Sequence, residues 1–189
     1  STPTRLHDII LEHLPRRQCP RVLDAGCGLG GTMIDLVGRL GGHYVGLTLS
    51  ARQAAIGRSA VERAGLSDRV KFQVGSYDRP PPGPFNLILA IEALAHSPAP
   101  AASLAALVGA MAPGGVIVIV DDMPAPDSRA SGDFRAFTSG WQCQAMLDRG
   151  QYGQSLHALN LDVVVDLDLT ADCRPRTAQQ TMRLEMLNR

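Results

Sequence analysis

Hydrophobic positions along the chain follow two alternating patterns. Short apolar runs recur at Val22-Leu23, His43 to Leu47, Val70 to Val74, Phe85 to Ile91, Val116 to Val120 and Asp162 to Leu169. Between them apolar residues return every three or four positions: Thr32 to Leu40, Ser50 to about Ala64, and Leu104, Leu107, Val108 and Met111. The first pattern predicts strands and the second helices with one buried face. The runs 85–91 and 116–120 are apolar almost without interruption, as in strands covered on both faces of a parallel sheet. Strand and helix in alternation predict an α/β fold, a doubly wound and mostly parallel sheet with right-handed crossovers. Ahead of it, Leu6, Ile9, Ile10 and Leu14 mark one face of a helix over Thr4 to Leu14, stopped by Pro15. Four prolines within Arg79 to Pro84 require a loop.

The stretch Val22-Leu23-Asp24-Ala25-Gly26-Cys27-Gly28-Leu29-Gly30-Gly31 joins the first strand to the first helix of this series. Glycines so closely spaced predict backbone at positive φ or in near contact with a ligand, at a helix start with unpaired N–H groups. Asp24 ends the strand at the sheet edge where such folds bind ligands, and a carboxylate there suits a cation or a hydroxyl better than a phosphate. Gly26, Gly28 and Gly31 also satisfy the dinucleotide spacing G-x-G-x-x-G, but the acid expected about 20 residues further on is missing.

Composition narrows the picture. A chain of 189 residues with 45% hydrophobic content predicts one domain over 1–189, with 123–160 as a segment covering the substrate. The 18 basic and 18 acidic residues cancel without forming blocks, which argues against nucleic acid and for a small, near-neutral substrate. No apolar run reaches the length of a membrane span, no signal-peptide pattern opens the chain, and Cys19, Cys27, Cys143 and Cys173 form no C-x-x-C pair. A cytoplasmic location, reduced thiols and no bound metal are expected; association into a homo-oligomer is left open. A first residue other than methionine and a helix-like end at 182–187 suggest a longer polypeptide. His7 and His13 read as surface or packing residues.

Further candidates lie at strand ends. Ser50 and Gln53 have capping-box spacing. Ser76 and Asp78 follow Gly75, and Glu92 and His96 follow the run 85–91, where an imidazole can accept a hydroxyl proton. Asp121 and Asp122 read as a solvated strand end rather than a metal site, either of them able to face a substrate. Phe134 to Leu159 gathers half of the aromatic side chains, with Trp141 and Tyr152 as substrate candidates, against ordinary packing as the alternative.

Asp24-Ala25-Gly26-Cys27-Gly28-Leu29-Gly30 resembles the first motif of class I S-adenosylmethionine-dependent methyltransferases, and the later Pro113-Gly114-Gly115 before a strand is similar to theirs. Thr48-Leu49-Ser50 with Gln53 resembles the cyclopropane-fatty-acid synthase, sterol and tocopherol-type small-molecule branches. The resemblance covers Arg21 to Thr170. It implies a Rossmann-like class I methyltransferase fold, here without an evident last strand, and S-adenosylmethionine as cofactor. It places Asp24, Gly26, Cys27, Gly28, Gly30, Thr48, Leu49, Gln53, Ser76, Tyr77 and Ile91 along the cofactor, with Ser76 or Asp78 at the adenine. The ribose acid usual in the class is replaced. Glu92 and His96 become catalytic candidates, for O- or C-methylation of a small natural-product acceptor. Fatty-acyl cyclopropanation is the first alternative; those enzymes carry a glutamate just before the histidine, where Ala95 stands. A silent cofactor-binding module is the other.

Overall fold

The structure is a computed structural model that describes residues 3–14, 20–125, 127–143 and 145–170. Two compact units divide the chain, one of Ser1–His13 with Val164–Arg189 and one of Leu14–Val163. In the first unit, α1 (Pro3–His13) is the expected amphipathic helix, with Ile10 buried. Cys19, Cys173 and the turn expected over Asp172 to Arg176 lie outside the described residues.

The second unit is built on a five-stranded sheet. In chain order come β1 (Arg21–Ala25), α2 (Gly31–Leu40), β2 (His43–Thr48), α3 (Ala51–Arg63), β3 (Val70–Val74) and β4 (Phe85–Ile91). A 3-10 turn (Leu94–His96), α4 (Pro100–Gly109), β5 (Met111–Val120), a second 3-10 turn (Ser128–Ala130), α5 (Gly132–Trp141) and α6 (Arg149–Ala158) follow. The strand order is β3-β2-β1-β4-β5, every neighbouring pair parallel. The chain therefore runs outward from β1 to β3 and returns to the other side of β1 with β4. Where the order reverses, the two crossovers leave in opposite directions and open a crevice at the carboxyl ends of β1 and β4.

The apolar runs account for the core. Leu23, Leu47, Phe85, Ile88, Leu104 and Leu107 are fully buried in one cluster, against which Leu156 of α6 and Leu159 just after it pack. Each such side chain contributes roughly 1.5–3 kcal/mol of transfer free energy. Helix α2 presents Met33, Leu36 and Val37 to the sheet, and it comes so close that a Cβ on Gly46 would lie 2.4 Å from the Met33 side chain.

Two local features differ from the sequence reading. The periodicity places Met111 on a helix and starts the strand at Val116; α4 already ends at Gly109 and β5 begins at Met111, and the glycines fill a register shift in which Met111 pairs with Phe85 but Val116 with Leu87. Gly114, at φ 63°, turns the backbone within that bulge. The sixth strand expected over Asp162 to Leu169 is not formed. Val163, Val164, Val165 and Leu167 are exposed, and residues 162–169 pair with no strand among the described residues. Alternation shows that a segment would suit a half-buried strand, but a strand exists only through the ladder it joins.

Candidate active site

The loop between β1 and α2 makes one wall of the crevice. Gly26, Gly28 and Gly30 have φ of 96°, 53° and 82°, left-handed backbone that a side chain resists. Gly26 and Gly30 are also held by packing: a Cβ would lie 2.8 Å from that of Ala93 in the first case and 2.3 Å from the Phe72 ring in the second. Gly28 is different, because the space its side chain would take is open. The N–H groups of Gly26 and Cys27 donate to the Leu47 carbonyl at 3.1 and 2.8 Å, which ties the loop to the end of β2. Gly30→Ala strains φ and pushes the buried Phe72 at once; a loss of about 2–4 kcal/mol is expected in urea unfolding of the variant.

Asp24, the last residue but one of β1, has only 3% of its surface exposed. Burial alone drives its carboxyl up to about 7 from the ordinary 3.8. A carboxylate kept in this state is pre-set for a partner that brings positive charge or a hydroxyl donor. Around the same edge stand exposed aliphatic side chains: Leu29 in the loop, Leu49 after β2 and Val74 at the end of β3, at 49%, 76% and 46% exposure. Apolar walls around an open glycine turn and a buried acid fit a ligand with a flat apolar ring at one end and hydroxyl and cationic groups at the other, as in a charged nucleoside.

At the end of β2, Thr48 is buried and its hydroxyl donates to Gln53 Oε1 at 2.7 Å, while the Ser50 N–H donates to the Thr48 hydroxyl at 3.1 Å. Gln53 N–H donates to Ser50 Oγ at 3.2 Å. Only this half of the predicted capping box forms, because the Gln53 side chain turns to Thr48 instead. Ser76 and Asp78 likewise engage each other, the Ser76 hydroxyl donating to Asp78 Oδ2 at 2.8 Å. Ser103 of α4 donates to Asp78 Oδ1 and accepts from the buried Ser97. Both oxygens of Asp78 are thus used within the protein, in a network with no sequence signal, since it joins positions 25 residues apart.

The opposite wall is the turn after β4. Ile91 is half-buried; Glu92 is exposed and takes φ 49°, unusual for a residue with a side chain. Its N–H donates to the Val120 carbonyl at 2.7 Å, and the Tyr77 hydroxyl donates to the Ala93 carbonyl at 2.9 Å. Beyond Ala93, the 3-10 turn buries Leu94 and Ala95 and leaves His96 exposed. Ala95 packs with Cys143 and Met146 from the segment beyond β5. The structure so brings Asp24, the glycine loop, Ile91, Glu92 and His96 to one edge of the sheet, with Thr48, Leu49, Gln53, Ser76 and Tyr77 at the neighbouring strand ends.

The segment after β5 does not behave uniformly. Trp141 is 57% exposed and lies 6.3 Å from the Phe137 ring on α5, whereas Tyr152 on α6 is buried. The Tyr152 hydroxyl donates to Asp121 Oδ2 at 3.0 Å. This corrects the reading of Asp121-Asp122 as a solvated end: Asp122 is exposed, but Asp121 Oδ1 is buried without a hydrogen-bond partner of ordinary geometry. Arg129 braces the segment from within, reaching the Met146 carbonyl and Gln151 Oε1, each at 2.9 Å.

Residues 4–122 match the protein family described as mycolic acid cyclopropane synthetase. A probable tocopherol O-methyltransferase, chloroplastic, of Oryza sativa subsp. japonica is 40% identical over 101 residues, 52% of this chain and 28% of the relative. A sterol 24-C-methyltransferase of Gibberella zeae is 33% identical over 105 residues, 53% of this chain and 27% of the relative. The matched stretch covers less than a third of the length of each of these curated relatives. In fold it is similar to geranyl diphosphate C-methyltransferase from Streptomyces coelicolor A3(2), with TM-score 0.82 at 21% identity, covering 89% of this chain and 61% of that one.

Proposed function

Because the chain belongs to the mycolic acid cyclopropane synthetase family, we propose that it binds S-adenosylmethionine in the crevice and transfers the methyl group to a small organic acceptor. The observation that carries this reading is the meeting, at one sheet edge, of the buried Asp24, the open turn at Gly28 and the exposed pair Glu92 and His96.

The residues present fit the cofactor. Leu29, Leu49 and Val74 offer aliphatic surface to an adenine ring, Asp24 a carboxylate to its hydroxyl or ammonium groups, and Gly28 room for close approach. When bound, S-adenosylmethionine supplies an electrophilic methyl group on a sulfonium. The protein's task is to align an acceptor with the S–CH3 bond and to keep water out. The turn 92–96 presents Glu92 and His96 where the acceptor arrives, and with an oxygen acceptor the His96 imidazole takes the hydroxyl proton. The segment 123–160 covers the acceptor, with the exposed Phe137 and Trp141 rings as apolar contact surface.

Fatty-acyl cyclopropanation is the weaker reading. The resemblance to those synthases calls for a glutamate where Ala95 stands, and Ala95 is buried among Cys143 and Met146, a setting hostile to a carboxylate. O- or C-methylation of a natural product stands ahead of it.

Calorimetry with S-adenosylmethionine and S-adenosylhomocysteine tests the cofactor, with micromolar binding expected. Formation of S-adenosylhomocysteine over a panel of phenolic, prenyl and amine acceptors tests the reaction. A protein that gives no heat with either nucleoside refutes the proposal.

A further inference from the structure

One half-buried acid, with one carboxylate oxygen sealed from solvent, is not used by the chemistry above. Asp121 is the first residue after β5, and its exposed neighbour Asp122 shows that water is within reach of this strand end. The Asp121 side chain nevertheless turns inward. Its Oδ2 accepts from Tyr152, a residue only 4% exposed and contributed by α6, and its Oδ1 is buried with no hydrogen-bond partner among the described residues. Burial pushes this carboxyl up to about 6, opposed by the Tyr152 hydroxyl and by the nearby N–H groups of Ala95, Ala93 and Leu94, none of which makes a hydrogen bond of ordinary geometry to Oδ1. Those three amides belong to the turn that carries Glu92 at its start and His96 at its end.

The contacts form a closed arrangement. Glu92 N–H is fixed to the carbonyl of Val120, the residue before Asp121, and the Ala93 carbonyl is fixed by Tyr77. The amides that follow lie near the Asp121 carboxylate, and among the described residues the carboxylate accepts its one hydrogen bond of ordinary geometry from a tyrosine of the covering segment. A carboxylate with one oxygen buried and unpaired is costly.

We propose that Asp121 is a positioning residue for His96: held by Tyr152, its carboxylate gathers the amides of residues 93–95 and thereby sets where the turn presents Glu92 and His96 to the methyl acceptor. This deepens the methyl-transfer reading and rests on it. It also makes the covering segment and the base one mechanical unit, since a shift of α6 moves Tyr152, then the carboxylate, then the turn. Tyr152 acts in this way through Asp121 and not by touching substrate.

Amide hydrogen exchange on the ligand-free chain, wild type against Tyr152→Phe and Asp121→Asn, provides the test. Exchange at Ala93 to His96 is expected to quicken at least tenfold in both variants while β1 and β2 keep their rates, and the His96 ring resonances are expected to move. With any acceptor the protein turns over, kcat falls while KM for S-adenosylmethionine is unchanged. Tyr152→Phe removes a single oxygen, so it decides the matter even where Asp121→Asn does not fold. Unchanged exchange at 93–96 overturns the proposal. So does a uniform rise across all amides that tracks a fall in Tm, which is the mark of packing alone. Calorimetry of the wild-type chain with S-adenosylmethionine separates the two readings: absence of heat removes the methyl-transfer reading, while the exchange data still report on Asp121.

Discussion

Asp24→Asn is expected to make the ligand-free protein more stable at pH 8 and a poorer cofactor binder. Asp24 holds its proton up to about pH 7 in the folded chain, against the ordinary 3.8 when unfolded. Between those values the unfolded chain has lost the proton and the folded chain retains it. Stability therefore declines as pH rises through that window, and above pH 7 the fold carries the whole penalty of a buried charge, on the order of 4 kcal/mol. Asparagine has no such charge, although its amide N–H groups are not all satisfied at the site, so a net gain of about 1–3 kcal/mol is expected at pH 8. Urea unfolding of the two proteins at pH 5 and pH 8 measures it: the variant's advantage should grow with pH, and an advantage that is constant with pH refutes the assignment. Removing a charge-assisted contact should at the same time weaken S-adenosylmethionine binding about 10- to 100-fold. In the wild type, cofactor affinity should rise with pH up to about 7, because binding needs the ionised acid.

The second large effect concerns His96. For an oxygen acceptor, His96→Gln is expected to lower kcat by about 10²- to 10⁴-fold, the usual contribution of a general base. Affinity for S-adenosylmethionine should stay within about threefold, because His96 lies on the turn after β4 and not on the glycine loop. Rapid-quench turnover paired with calorimetry reads both quantities. A carbon acceptor that attacks before it loses a proton gives a far smaller fall, so the size of the change also reports the acceptor's chemistry. A fall in affinity equal to the fall in kcat would place His96 in cofactor binding instead.

Features that depend on neighbours in sequence were legible, and features that depend on what arrives from far along the chain were not. Close spacing marks the glycine turn, because left-handed backbone has few solutions apart from glycine; Gly26, Gly28 and Gly30 take it, whereas Gly31, which the dinucleotide spacing singles out, opens α2. The apolar run of β4 marks a central strand in the same way. The inward turn of the Asp121 side chain has no local signal, since an aspartate after an apolar strand is ordinarily solvated and the tyrosine that bonds it stands 31 residues later. The bond between Thr48 and Gln53 was hidden by a correct local signal: Ser50 does cap α3, but the glutamine side chain had a better partner one turn back. Asp162 to Leu169 shows the opposite error, a strand pattern with no ladder among the described residues.

Glu92 holds a left-handed backbone that glycine would adopt freely, and a single residue in that region stores about 1 kcal/mol of strain. The cheapest way to stabilise this turn is thus to replace the residue that brings a carboxylate to its rim. An effort to harden the protein by consensus or by computed folding energy would select Glu92→Gly early and could erase acceptor chemistry without disturbing the fold. Position 92 is where thermostability screens and activity screens should be expected to rank the same library in opposite order.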